Sequence, residues 1–171
     1  RGNEKAFEWV GRAVKNCIEA GIVVNLSLCA TRDFTTRENL EKYLALAEKW
    51  GVAFVLLLEP RDVGHYRGQD VGLSTEQYKI LEDFFVDMNN CPQKHNSPIV
   101  HYNGYYQRRT GCSASGDQSL YIDADGNIQA CPFCKGIKGN VLTDGLEKPA
   151  ASLLSTGCHK FEQTHKATHP L

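Results

Sequence analysis

The chain has 171 residues, 42% of them apolar and 23% charged, and a formal net charge of −1. That composition suits one ordinary globular domain or two small ones, and it lacks the basic excess that favours nucleic acid. The longest clear apolar run, Ala53 to Leu58, is strand-sized, so no membrane span is expected. No secretory signal is apparent, and the seven cysteines are an odd count with four of them from Cys112 onward. Together these point to a reducing compartment, the cytoplasm, and to metal binding over a disulfide framework. The chain opens on Arg1 and its only methionine is Met88, so we read it as a fragment or a processed chain.

Residues 7 to 90 read as helix, strand, helix, strand, helix. Phe7, Val10, Val14, Cys17 and Ile18 recur at helical spacing, and Gly21 stops that helix. Ile22 to Leu28 is a β-rich apolar run. Thr35 with Glu38 forms the pattern of a capping box, after which Leu40, Tyr43, Leu44, Ala47 and Trp50 mark the inner face of a second helix ended by Gly51. Ala53 to Leu58 is a second strand, apolar on both faces. Ser74 with Gln77 is another capping-box pattern, and Tyr78, Leu81, Phe84, Phe85 and Met88 form the stripe of a third helix with Pro92 just beyond it.

Apolar strands alternating with helices predict parallel α/β structure. Two parallel strands alone make no stable sheet with both faces covered, so the pattern implies further strands, expected upstream in a longer parent. On the first strand Ile22, Val24, Leu26 and Leu28 share one face, while Val23, Asn25, Ser27 and Cys29 share the other. The polar groups of the second set suit the lumen of a barrel or, equally, local hydrogen bonding. Glu59 follows Val55 and Leu57 at the carboxyl end of the second strand, where α/β folds place ligands.

From about Ile99 the pattern changes. The prolines of Asn90 to Pro98 mark the boundary between a first part, residues 1–98, and a second, residues 99–171. Tyr102, Tyr105, Tyr106, Arg108 and Arg109 read as a half-buried strand, although they could face a substrate. Residues 119 to 131 alternate weakly around Asp125-Gly126, a dipeptide that favours the positive φ of a hairpin turn. Asp123, Asp125 and Asn127 resemble a calcium loop, but Gly126 comes too early for one and the hairpin is the better reading. A short helix is expected from about Lys148 to Ser155.

Four cysteines flank that hairpin. Cys112 is followed by eighteen residues, Cys131, two residues, Cys134, twenty-three residues and Cys158. Three chemistries compete for them. A structural zinc site draws on two short-spaced pairs, and here there is one, although His159, His165 or His169 could substitute. A redox dithiol at Cys131-Pro132-Phe133-Cys134 wants a helix after its first thiol, which Gly136 and Gly139 oppose. An iron–sulfur cluster tolerates long gaps between its four thiolates. Cys17 is expected to pack in a helix interface, and Cys29 and Cys91 are left outside the set.

The spacing of Cys112, thirteen residues, Gly126, four residues and Cys131 resembles the opening of the auxiliary-cluster signature in radical SAM enzymes with SPASM or twitch domains. Tyr121-Ile122-Asp123-Ala124-Asp125-Gly126-Asn127, the Cys-Pro-Phe-Cys run and Gly139-Asn140-Val141 are similar to that family as well. The segments Phe7 to Gly21, Ile22 to Thr31 and Val52 to Gly64 resemble the last helices and strands of its partial barrel. The resemblance implies the C-terminal portion of a partial (β/α)6 barrel followed by a small α+β twitch-like domain with a β-hairpin. It implies one auxiliary [4Fe–4S] cluster on Cys112, Cys131, Cys134 and Cys158, since too few cysteines follow for a second.

For the intact parent the resemblance implies reductive cleavage of S-adenosylmethionine to a radical that abstracts hydrogen from a peptide or small-molecule substrate. An electron donor such as flavodoxin or ferredoxin would serve it. Asn25, Ser27 and Glu59 are candidates for lining the S-adenosylmethionine or substrate space. The Cys-x3-Cys-x2-Cys loop that starts this chemistry is absent from these residues, so the chain alone is expected to be inactive. A non-catalytic zinc-binding module, with four cysteines or a mixture of cysteine and histidine as ligands, is the alternative.

Overall fold

The computed structural model describes residues 3–110, 119–133 and 136–156. These form a mixed α/β structure with one parallel and one antiparallel sheet, each of three strands. Two compact units divide the chain. One is built on Arg1–Pro60 with Gly72–Asn103, the other on Arg61–Val71 with Gly104–Leu171.

In the first unit, helix α1 (Ala6–Glu19) leads to strand β1 (Asn25–Cys29), helix α2 (Arg37–Lys49), strand β2 (Phe54–Leu58), helix α3 (Thr75–Asn90) and strand β3 (Ile99–His101). The strands are parallel and lie in the order β1-β2-β3, with Ser27 beside Leu56 and Leu56 beside His101. Two strands were expected; the third follows α3, downstream, and its three residues after Pro98 are too few for a periodic signal. β1 also starts later than its apolar run. Gly21 takes φ +73° while the Ile22 N–H closes on the Cys17 carbonyl (2.9 Å), so Ile22 belongs to the helix cap. Gly51, at φ +74°, and Val52, bonded to the Ala47 carbonyl (3.0 Å), end α2 in the same way.

The caps of α2 and α3 differ. Ser74 and Gln77 form the expected reciprocal box, at 3.2 and 3.1 Å. At α2 the cap is Thr36, whose hydroxyl accepts the Asn39 N–H (3.2 Å), and not Thr35. Thr35 is buried and donates to the Thr31 carbonyl (2.7 Å), which removes it from capping. On α3, the whole expected stripe of Tyr78, Leu81, Phe84, Phe85 and Met88 is buried. Asn89 of the same helix brackets Val100 of β3, donating to its carbonyl (2.8 Å) and accepting its N–H (3.1 Å). On α1 only Val14 of the apolar stripe is buried, while Phe7, Val10 and Ile18 are exposed.

In the second unit, helix α4 (Asn103–Thr110) replaces the strand expected for the tyrosines. It buries Arg108, a residue that hydrophobic periodicity counts as outward-facing. Strands β4 (Tyr121–Ile122), β5 (Asn127–Gln129) and β6 (Gly139–Asn140) form an antiparallel sheet in that order, followed by helix α5 (Glu147–Thr156). Ile128, Ala130 and Leu153 make its core, with Leu120 and Val141 packed against them. Among the described residues no helix is long and apolar enough to cross a membrane.

Candidate metal-binding hairpin

Residues 121–129 fold as the expected hairpin, with Tyr121 opposite Gln129 and Ile122 opposite Ile128. Gly126 carries φ +84° at the turn, and its N–H donates to the Asp123 carbonyl (3.1 Å). The Asp123 carboxylate organises the loop. It accepts the backbone N–H groups of Asp125 and Asn127 (both 2.9 Å), the Asn127 amide (3.0 Å) and the Gln129 amide (3.1 Å). Those donors account for its acceptor capacity, which explains the resemblance to a calcium loop without a cation.

The hydrogen bonds from Asn127, side chain and then backbone, hold the Asp123 carboxyl below the usual carboxylate range. A lowered folded-state value stabilises the fold above the ordinary carboxylate range, and that stabilisation is lost as pH falls through the lowered value. Amide protection of Asn127 is therefore expected to weaken in acid in the wild-type chain. In Asp123→Asn it should no longer follow pH over that window, as hydrogen exchange would read.

Gly139-Asn140-Val141 secures the hairpin from the third strand. Asn140 donates its side-chain N–H groups to the Asp125 carbonyl (2.8 Å) and to Asn127 Oδ1 (3.2 Å), and its own Oδ1 accepts the Leu142 N–H (2.9 Å). The Val141 N–H reaches the Gly126 carbonyl (2.8 Å). Gly139 has no room for a side chain, because a Cβ there would stand 2.7 Å from Pro149 Cγ of α5. Sequence reading singled out Gly139-Asn140-Val141 through the family resemblance but missed Asn140 as the clasp, since its partners lie 13 and 15 residues away.

This frame places one candidate ligand. Cys131 follows the buried Ala130 at the end of the hairpin and is half-buried. Cys112, Cys134 and Cys158 lie outside the described residues. Among the described residues no three His, Cys, Asp or Glu side chains gather as a metal site. Phe133, between Cys131 and Cys134 in sequence, is 55% exposed, and the Arg61 guanidinium lies over its ring at 6.0 Å. No sequence signal connected Arg61 with this segment.

The other candidates fall on the parallel sheet. Leu28, Val55, Leu57 and Val100 are buried on one face. Asn25, Ser27 and Cys29 stand exposed on the opposite face, in register with Phe54, Leu56 and Leu58, and the row continues to Ile99 and His101. Phe54 and His101 meet edge-on there at 5.4 Å. Asn25 and Ser27 are thus brought together on an open face. Glu59 follows the parity of the buried Val55 and Leu57, and its carboxylate accepts the hydroxyl of the buried Tyr102 (2.7 Å).

No protein-family model matches the chain, and no curated protein matches it.

Proposed function

We propose that this chain is the C-terminal part of a radical SAM enzyme, comprising the last portion of a partial (β/α)6 barrel and a twitch-like domain with one [4Fe–4S] cluster. The observation that carries the reading is the clasped hairpin. It turns at Gly126, is pinned by Asp123 and Asn140, and delivers Cys131 at the edge of a small core. The cluster's ligands are Cys112, Cys131, Cys134 and Cys158. Four thiolates are a donor set that fits iron–sulfur chemistry, and Cys131 follows the buried Ala130 just beyond β5.

The parallel sheet supports the barrel part. Parallel strands are ordinarily covered on both faces, yet the face bearing Asn25 and Ser27 is open among the described residues. A lumen shared with upstream strands accounts for that face. Asn25 and Ser27 are the residues we assign to the S-adenosylmethionine or substrate space, whereas Glu59, on the parity of the buried face and bonded to Tyr102, does not share their face. When bound, the auxiliary cluster supplies one-electron chemistry or anchors the substrate. The parent acts in the cytoplasm on a peptide or a small molecule and draws electrons from a flavodoxin- or ferredoxin-like donor.

Paired alanine variants test the ligand assignment. Cys131→Ala should lose the iron that the wild-type chain takes up on anaerobic reconstitution, while Cys91→Ala should retain it. Equal iron in both variants would remove Cys131 from the site.

A further inference from the structure

We propose that Met88, Cys91 and His95, which line one cavity of about 230 Å³ at the C-terminal end of α3, form a binding site for Cu(I). All three belong to the first unit, and the proposal does not rest on the cluster reading. Their spacing follows from how the helix ends. Met88 lies on the buried stripe in the last turn of α3, and Cys91 stands three residues on, its N–H still bonded to the Asp87 carbonyl (3.1 Å). Residues three apart on a helix are neighbours on one face. Pro92 cannot extend the helix and opens a short helical turn, Pro92–Lys94, in which the Lys94 N–H returns to the Cys91 carbonyl (2.9 Å). That turn brings His95 to the same cavity. Asn89, another lining residue, ties this wall to β3 through its two bonds to Val100.

The donors are of one chemical kind. His95 Nδ1 lies 2.7 Å from the Pro92 carbonyl, an atom that only accepts, so Nδ1 carries the proton and in the neutral ring Nε2 keeps its lone pair. Metal-bound histidines are oriented in this way, the second ring nitrogen donating to a carbonyl or carboxylate. Cys91 is half-buried and unpaired in any disulfide, and its thiol donates to Gln93 Oε1 (3.0 Å). Thioether and thiolate are soft ligands that select Cu(I), and imidazole suits copper as well. No described residue lining the cavity carries the carboxylate that a hard cation wants. Lys94 also lines it, and its charge disfavours a divalent ion more than a singly charged one that the thiolate neutralises. On binding, the Cys91 thiol gives its proton to solvent and Cu(I) takes its place on Sγ, with no change of oxidation state.

Met88 is the only methionine of the chain, so an isotopic label on the methionine methyl group reads this site alone, whatever the other cysteines bind. The whole chain is titrated anaerobically with Cu(I), supplied as its acetonitrile complex, and the methyl resonance is followed by nuclear magnetic resonance. In the wild type the resonance should shift. The shift should be lost in Cys91→Ser, and in His95→Gln it should need more copper. A methyl resonance that stays in place when copper exceeds the seven cysteines overturns the proposal. A shift that either variant leaves undiminished overturns it too. Where Cys91→Ser disturbs the fold, seen as lost protection of the Val100 amide that Asn89 holds, His95→Gln alone decides, since His95 is exposed. None of these outcomes alters the iron count that tests the cluster.

Discussion

Ile128→Ala is expected to destabilise the second unit by about 2–5 kcal/mol. Ile128 is completely buried at the centre of the three-strand sheet, facing Ile122 across β4 and Gly139 across β6. Among the described residues its buried companions are Ala130 and Leu153, with Leu120 and Val141 packed against them. Ile128→Val, which removes one methylene, should cost about 0.5–1.5 kcal/mol. Protection of the Lys138 amide, bonded to the Ile128 carbonyl (2.8 Å), reports the change under native conditions. A loss below about 1 kcal/mol for Ile128→Ala would mean that α5 and the sheet do not share a packed core.

Gly126→Ala should cost about 1–2 kcal/mol from backbone conformation alone, because a side chain is poorly tolerated at φ +84°. There is little space either. A Cβ at this position would meet Asn140 Oδ1 at 3.0 Å and Leu142 Cγ at 3.3 Å. The new methyl therefore presses on the residue that clasps the turn, and loss of the bonds from Asn140 to Asp125 and Asn127 adds to the backbone cost. Gly126→Val should be worse, since its β-branch crowds the same contacts. The Val141 amide, which bonds to the Gly126 carbonyl, should lose protection first. Unchanged protection in Gly126→Ala would contradict the turn geometry.

These two residues show what the sequence can and cannot carry. The turn was legible because Asp125-Gly126 is a local signal, as was α3, where a stripe of large apolar residues and the Ser74–Gln77 box agree. Helix α4 was not legible. Its sequence, Asn-Gly-Tyr-Tyr-Gln-Arg-Arg-Thr, has no apolar stripe, and the side chain it buries is Arg108. On α1 the periodicity was plain, yet a helical stripe says only which face is apolar, not whether these residues cover it. Thr35 and Thr36 have the same chemistry, and only the buried bond from Thr35 to Thr31 decides which one caps α2.

The candidate site divides in the same way. Cysteine and glycine spacing marked the hairpin, because turn and ligand chemistry are local. The Asn140 clasp and the Arg61–Phe133 contact depend on tertiary placement, which no spacing encodes. On the parallel sheet, parity separated Asn25 and Ser27 from the helix-facing residues. The tie from Glu59 to Tyr102 spans 43 residues and emerged only from the fold.

The most direct measurement is a count of metal and acid-labile sulfide in the whole chain after anaerobic reconstitution with iron and sulfide. An auxiliary [4Fe–4S] cluster on Cys112, Cys131, Cys134 and Cys158 predicts about four irons and about four sulfides per chain. One tightly held zinc per chain, with neither iron nor sulfide, would contradict it and make the clasped hairpin a structural zinc site.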